Sequence, residues 1–160
     1  MFLFNNPVQY IASELNSHDL ANKLEFMPFL KTQLNKRVIF IDRLIAPWEL
    51  IDPDALNIID YLERHEDYHK VGGDLIKCQE RLKTGVAIVC LQKNEGAELA
   101  RGGNGTMQKA ALVLNLELEQ AQIKKTRYWS DPRTNPRGMK INFKLIHGVI
   151  PEAVTSWYRD

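Results

Sequence analysis

Cysteine, long apolar runs and net charge are what this chain has least of. Its 160 residues include two cysteines, Cys78 and Cys90, which fall in a predicted helix and a predicted strand. They read as small core residues, not as a disulfide framework or a metal site. No apolar run approaches the ~18 residues of a transmembrane helix, so no membrane association is expected. The opening Met1-Phe2-Leu3-Phe4 has neither the basic flank nor the length of a signal peptide, and a cytoplasmic location follows by default. No internal repeat or low-complexity linker interrupts the chain.

What is present is an ordinary globular composition, 44% hydrophobic and 26% charged, in a chain of one-domain size. The net charge of +1 conceals an uneven distribution. Seven acids and a single base, Arg64, lie between Glu49 and Asp67. Seven bases and a single acid, Asp131, lie between Lys124 and Lys144. An acidic edge suits a metal ion and a basic one suits phosphate. Two solvated surfaces of opposite sign would read the same way.

The organising stretch is Ala55–Glu66. Leu56, Ile58 and Ile59 follow the breaker Asp52-Pro53-Asp54 and lead into Asp60, the pattern of a short buried parallel strand. Its terminal carboxylate would lie in the crevice at the carboxyl edge of the sheet, where α/β proteins bind ligands. There Asp60 either caps a turn or holds magnesium beside phosphates.

Upstream, Val8, Tyr10 and Ile11 predict a strand running to Ser13-Glu14. Leu20, Leu24 and Met27 then repeat at helical spacing behind a cap at Asn16 or Ser17, with Pro28 closing the helix. Arg37–Leu44 predicts a second strand, also ending in an acid, Asp42. No room for a crossover helix separates Asp42 from Leu56, so Asp42 is expected to end an edge strand. After Asp60 come Gly72-Gly73, a helix from about Asp74 to Lys83, and the β-rich run Val86–Leu91. That crossover puts Asp60 in the central sheet.

His65-Glu66-Asp67-Tyr68-His69 spells H-E-x-x-H, which on a helix would bind zinc with the Glu as base. Its context is a strand end before two glycines, and a third ligand would have to come from Glu80, Glu95 or Glu98. Gln92, after the β-rich run, can hydrogen-bond a phosphate or a water through its amide, or simply end the strand. The loop around Arg101-Gly102-Gly103-Asn104-Gly105 lacks G-x-x-x-x-G-K-[ST] and is no P-loop. Arg101 and Lys109 could touch DNA phosphates, or the loop could be a disordered connector. Ala111–Leu118 and Gln122–Trp129 predict further strands. Asn135-Pro136-Arg137-Gly138 is a turn, and Met139–Ile146 alternates with period two.

In this order the segments resemble the RecA-like ATPase core of the DnaB helicase and RadA group, closest to phage and prophage ATPases. The likeness covers about Val8–Val149 and is strongest at Asn57–Glu63, Gly85–Asn94 and Lys125–Gly138. It implies an α/β fold: a RecA-like, mostly parallel sheet flanked by helices (8–118), with antiparallel strands at the carboxyl side (119–150). The whole of 1–160 would then be one partial domain. The resemblance also implies ATP and Mg2+ as substrate and metal. It makes Glu14 the catalytic base, Asp60 the Walker B carboxylate holding magnesium through water, and Gln92 the sensor. Lys125 and Arg127 would be basic fingers toward a neighbouring subunit's nucleotide in a homo-oligomeric ring or filament. Arg101 and Lys109 would lie in the DNA-contacting loop.

The family's first strand, Walker A loop and following helix have no counterpart in the chain. Two expectations follow: weak or no ATP binding by this chain alone, and an exposed edge on Val86–Leu91 where another strand would pair. The leading functional expectation is the carboxyl-terminal part of a DNA-dependent ATPase, active when a missing segment or partner supplies the P-loop. The alternatives are an inactive RecA-like module docking on DNA or an ATPase ring, and a zinc hydrolase.

Overall fold

The computed structural model describes residues 7–12, 17–26, 37–42, 46–62, 64 and 66–160. Among these residues are two four-stranded sheets. The first is parallel and contains β1 (Val8–Ala12), β2 (Val38–Asp42), β3 (Leu56–Asp60) and β4 (Val86–Val89), in the order β2-β1-β3-β4. The second is an antiparallel meander of β5 (Leu112–Glu117), β6 (Gln120–Thr126), β7 (Lys140–Ile146) and β8 (Ile150–Ala153). Helix α1 is Ser17–Glu25 and α2 is Val71–Arg81. Among the described residues no helix is long and apolar enough to cross a membrane.

The strand ending in Asp42 is an outer one, as expected, and β3 lies between β1 and β4. Register aligns Ala12 with Asp60 and Ile59 with Val89, so β1, β3 and β4 end at one rim. The core lies on the face toward α2. Ile11 and Ile59 (each 1% exposed) pack there with Ile51, Leu62, Val71 and Cys78. Asn57, fully buried, holds the incoming 51–55 turn: its Oδ1 accepts from Asp52 N–H at 2.9 Å, and its Nδ2 donates to the carbonyls of Asp52 (2.9 Å) and Ala55 (3.2 Å).

Two expectations need correction. First, α2 begins at Val71, so Gly72 and Gly73 lie inside the helix instead of preceding it. Each glycine costs roughly 1 kcal/mol in helix propensity, but a Cβ on Gly72 would sit 3.1 Å from the Gly105 carbonyl oxygen. Close packing of the glycine-rich loop on the helix demands the small residue. Second, the strand near 111–118 is not part of the parallel core. As β5 it pairs antiparallel with β6, so the division between the sheets precedes Leu112. The described part of the 1–160 domain thus holds separate parallel and antiparallel sheets, and β8, carrying Pro151 on an edge strand where no ladder donor is lost, was not foreseen. Met27, Pro28 and Asn16 lie outside the described residues.

Candidate functional site

The three carboxyl ends of β1, β3 and β4 bring two polar clusters to the same rim. Asp60 ends β3 on the face away from α2, two residues beyond Ile58. Tyr10, on the same face of β1, donates its hydroxyl to Asp60 Oδ2. The Tyr10 ring packs on Phe40 with centroids 4.9 Å apart, which fixes its aim. Burial first, then the hydrogen bond and charge of Asp60, raise the Tyr10 hydroxyl pKa well above its ordinary range. The Cys90 thiol is raised as well, by desolvation and then by Asp60. Both neighbours therefore stay protonated beside the carboxylate at neutral pH. The Asp60–Tyr61 peptide is cis.

The second cluster starts at the next residue. Gln92 Nε2 donates to the Tyr61 hydroxyl at 2.5 Å, and Arg101 Nη1 donates to Gln92 Oε1 at 3.2 Å. The Arg101 backbone N–H bonds the Gln92 carbonyl at 2.9 Å, its Nε reaches Asn94 Oδ1 at 3.1 Å, and its guanidinium lies 5.5 Å from the Tyr68 ring centre. These groups border a narrow cleft floored by Leu62, Val71 and Leu91. Arg64 on its wall is tied to α2 by Asp74, 2% exposed, through Nε at 2.5 Å and Nη2 at 3.0 Å. Asp60 and Gln92 thus share a rim but sit in adjoining clusters, linked by the consecutive residues Asp60 and Tyr61.

The remaining expected residues are distributed as follows. Glu14 lies outside the described residues; β1 stops at Ala12, level with Asp60. Arg101, expected on DNA, is folded back onto Gln92 and Tyr68. Lys109 is exposed. The glycine-rich segment is an ordered 3-10 turn, Gly103–Met107, with Thr106 buried; it is not a disordered connector. Lys125 Nζ donates to the carbonyls of Met107 and Gln108, and Arg127 Nη2 to that of Gln108 at 2.7 Å. Desolvation and then Arg127 lower the Lys125 ammonium pKa. The basic pair is therefore gathered on the end of the glycine-rich loop.

The described part of the H-E-x-x-H segment, Glu66–His69, is not the α-helix that zinc binding needs. His69 lies exposed in a 3-10 turn, Tyr68–Lys70, and α2 starts only at Val71. His65 lies outside the described residues. Glu98 pairs with Lys124 at 3.3 Å, and no group of three or more His, Cys, Asp or Glu side chains suited to a metal occurs among the described residues. Sequence reasoning overlooked Tyr10, Tyr61 and Tyr68, the hydroxyls that hold the rim together. The available signal was Tyr10 and Tyr61 near the ends of two apolar runs; Tyr68, among charged residues, carried none. No protein-family model and no curated protein matches the chain.

Proposed function

We propose that this chain is the carboxyl-terminal part of a RecA-like, DNA-dependent ATPase of the DnaB-helicase type, with its phosphate-binding loop supplied by another segment or polypeptide. The observation that carries this reading is the exit of Asp60 and Gln92 from one rim on neighbouring parallel strands, with Asp60 oriented by Tyr10. A carboxylate there suits magnesium, which takes one or two protein carboxylates and fills its shell with water and phosphate oxygens. Magnesium would neutralise charge on the transferred phosphoryl group.

In this reading Asp60 orients the metal's water shell, with Tyr10 fixing one carboxylate oxygen. Glu14, two residues past the end of β1, takes the proton of the attacking water. Gln92 reads the terminal phosphate and passes its position through Arg101 to the glycine-rich loop, the element assigned to DNA through Lys109. Lys125 and Arg127, held on Met107 and Gln108, follow that loop and stabilise charge at a neighbouring subunit's nucleotide in a ring or filament. The absence of G-x-x-x-x-G-K-[ST] from all 160 residues also favours a second reading, an inactive module on DNA or an ATPase ring.

Hydrolysis assays decide between them. The chain alone is expected to be inactive. Co-expressed with a polypeptide carrying a strand, a G-x-x-x-x-G-K-[ST] loop and a helix, it should hydrolyse ATP, faster with DNA present. Co-purification without any hydrolysis would favour the inactive module; no association with that polypeptide would sink the first reading.

A further inference from the structure

Arg101 is a partly buried cation that meets no acid. Among the described residues, Arg64, Lys93, Lys124 and Lys140 are also partly buried, and each pairs with a carboxylate, from Asp74, Glu117, Glu98 and Asp160 in turn. The side-chain partners of the Arg101 guanidinium are all neutral. They are Asn94 Oδ1 at 3.1 Å, Gln92 Oε1 at 3.2 Å, the Tyr68 hydroxyl at 3.5 Å and the Tyr68 ring. Lys125 lacks an acid too, but the Met107 and Gln108 carbonyls cap its ammonium. Fixing a long side chain gives up rotamer freedom, and drawing its charge out of water without an opposite charge is costly. The neutral partners of Arg101 hold its plane and leave its charge standing.

That charge borders the rim cleft, which Arg101 shares with Arg64, Gln92 and Tyr68. Arg101 commits Nε and Nη1 to its neighbours, so Nη2 has no partner among the described residues. Arg64 commits Nε and Nη2 to Asp74 and keeps Nη1. Gln92 Nε2 gives one N–H to Tyr61 and, as a primary amide, has a second. No acid lines the cleft among the described residues, and Asp74 neutralises Arg64 from the α2 side. The positive charge of Arg101 is therefore left over, above an apolar floor that strengthens any hydrogen bond made there. The cleft volume is about 10 Å³, enough for one oxygen-sized group. A ring does not fit; a ligand enters by one oxygen, with its other atoms at the mouth.

We infer that this cleft is an oxyanion site for phosphate, free or at the end of a monoester. Arg101 supplies the opposite charge, and Arg64 and Gln92 supply further N–H donors. Guanidinium and phosphate match in charge and in donor geometry. The donors are already ordered by Asn94, Tyr68 and Asp74, so little freedom is lost when the anion arrives. The site stands on these contacts alone; only a nucleotide as the ester rests on the ATPase reading.

Side-chain NMR of the chain alone tests this. Inorganic phosphate is exchanged for chloride at constant ionic strength while the Arg101 and Arg64 Nε–H and Gln92 amide signals are followed. Their shifts should saturate together, with one Kd. Arg101→Gln should raise that Kd about tenfold or more, the loss of a charge-assisted hydrogen bond. Arg101→Lys keeps the charge without the fork and should raise it less. Both variants should retain the backbone spectrum, because no buried carboxylate loses its partner. Glycerol phosphate in place of phosphate separates the sources: an equal or lower Kd assigns the cleft to a monoester end, a higher one to the free ion. Shifts that rise linearly without saturating, shifts confined to exposed lysines, or an unchanged Kd in Arg101→Gln would overturn the proposal. Neither probe needs a phosphate-binding loop, so failure here and failure of the hydrolysis assay are separate results.

Discussion

The two faces of the parallel sheet come from the same strands and have opposite fates. Toward α2, Ile11 and Ile59 are sealed under Val71 and Cys78. On the other face, apolar residues of the same spacing (Phe40, Val86, Ile88) remain substantially exposed. Alternation decides which residues share a face, but only a second layer makes that face a core. The buried face supports the rim cleft through Leu62 and Val71, and the more exposed one carries Asp60 and Tyr10.

Stability measurements can break this contrast. Ile59→Ala should cost about 2–5 kcal/mol in urea unfolding, as for other buried aliphatic truncations, against about 1 kcal/mol or less for Ile88→Ala. Equal losses would mean that the second face is covered. Asp74→Ala should cost about 1–3 kcal/mol, because it strips the buried partner of Arg64, and should also speed amide exchange at the start of α2.

Alkaline titration sharpens the contrast by separating the faces chemically. Tyr10 on the open face has its hydroxyl pKa raised, and the Cys78 thiol in the core is pushed up to about 11, mainly by burial. Groups with raised pKa values lose protons first in the unfolded chain. Their contribution is complete below the unfolded values, about 8.5 for Cys and about 10 for Tyr, and declines as pH rises through the folded ones. Stability should fall above about pH 9, and Tyr10→Phe should flatten the part of that fall above about pH 10. Tyrosinate absorbance of the wild type should show one tyrosine titrating late. The smallest effect belongs to Lys70→Ala, which breaks the exposed Asp67–Lys70 pair and should leave the unfolding midpoint unmoved.

The parallel sheet was legible because its constraints are local and strong. Apolar runs ending in acids, together with the length of each connection, placed Asp42 on an edge strand and Asp60 inside. The sheet to which β5 belongs was not legible. Its hairpin to β6 turns through Leu118 and Glu119, with Glu119 at φ 57, where turn chemistry calls for glycine or asparagine. The start of α2 was hidden by two glycines, of which Gly72 has a tertiary reason, contact with Gly105, and Gly73 has no such contact. Arg101 shows the same limit: its composition suits phosphate, and only the fold turns it onto Gln92.

Hydrolysis by the chain complemented with a P-loop-bearing polypeptide, wild type beside Asp60→Asn, tests the central assignment most directly. A loss of about a hundredfold or more in turnover, with the complex still formed, is the predicted result. Undiminished turnover by Asp60→Asn would contradict a nucleotide site at this rim.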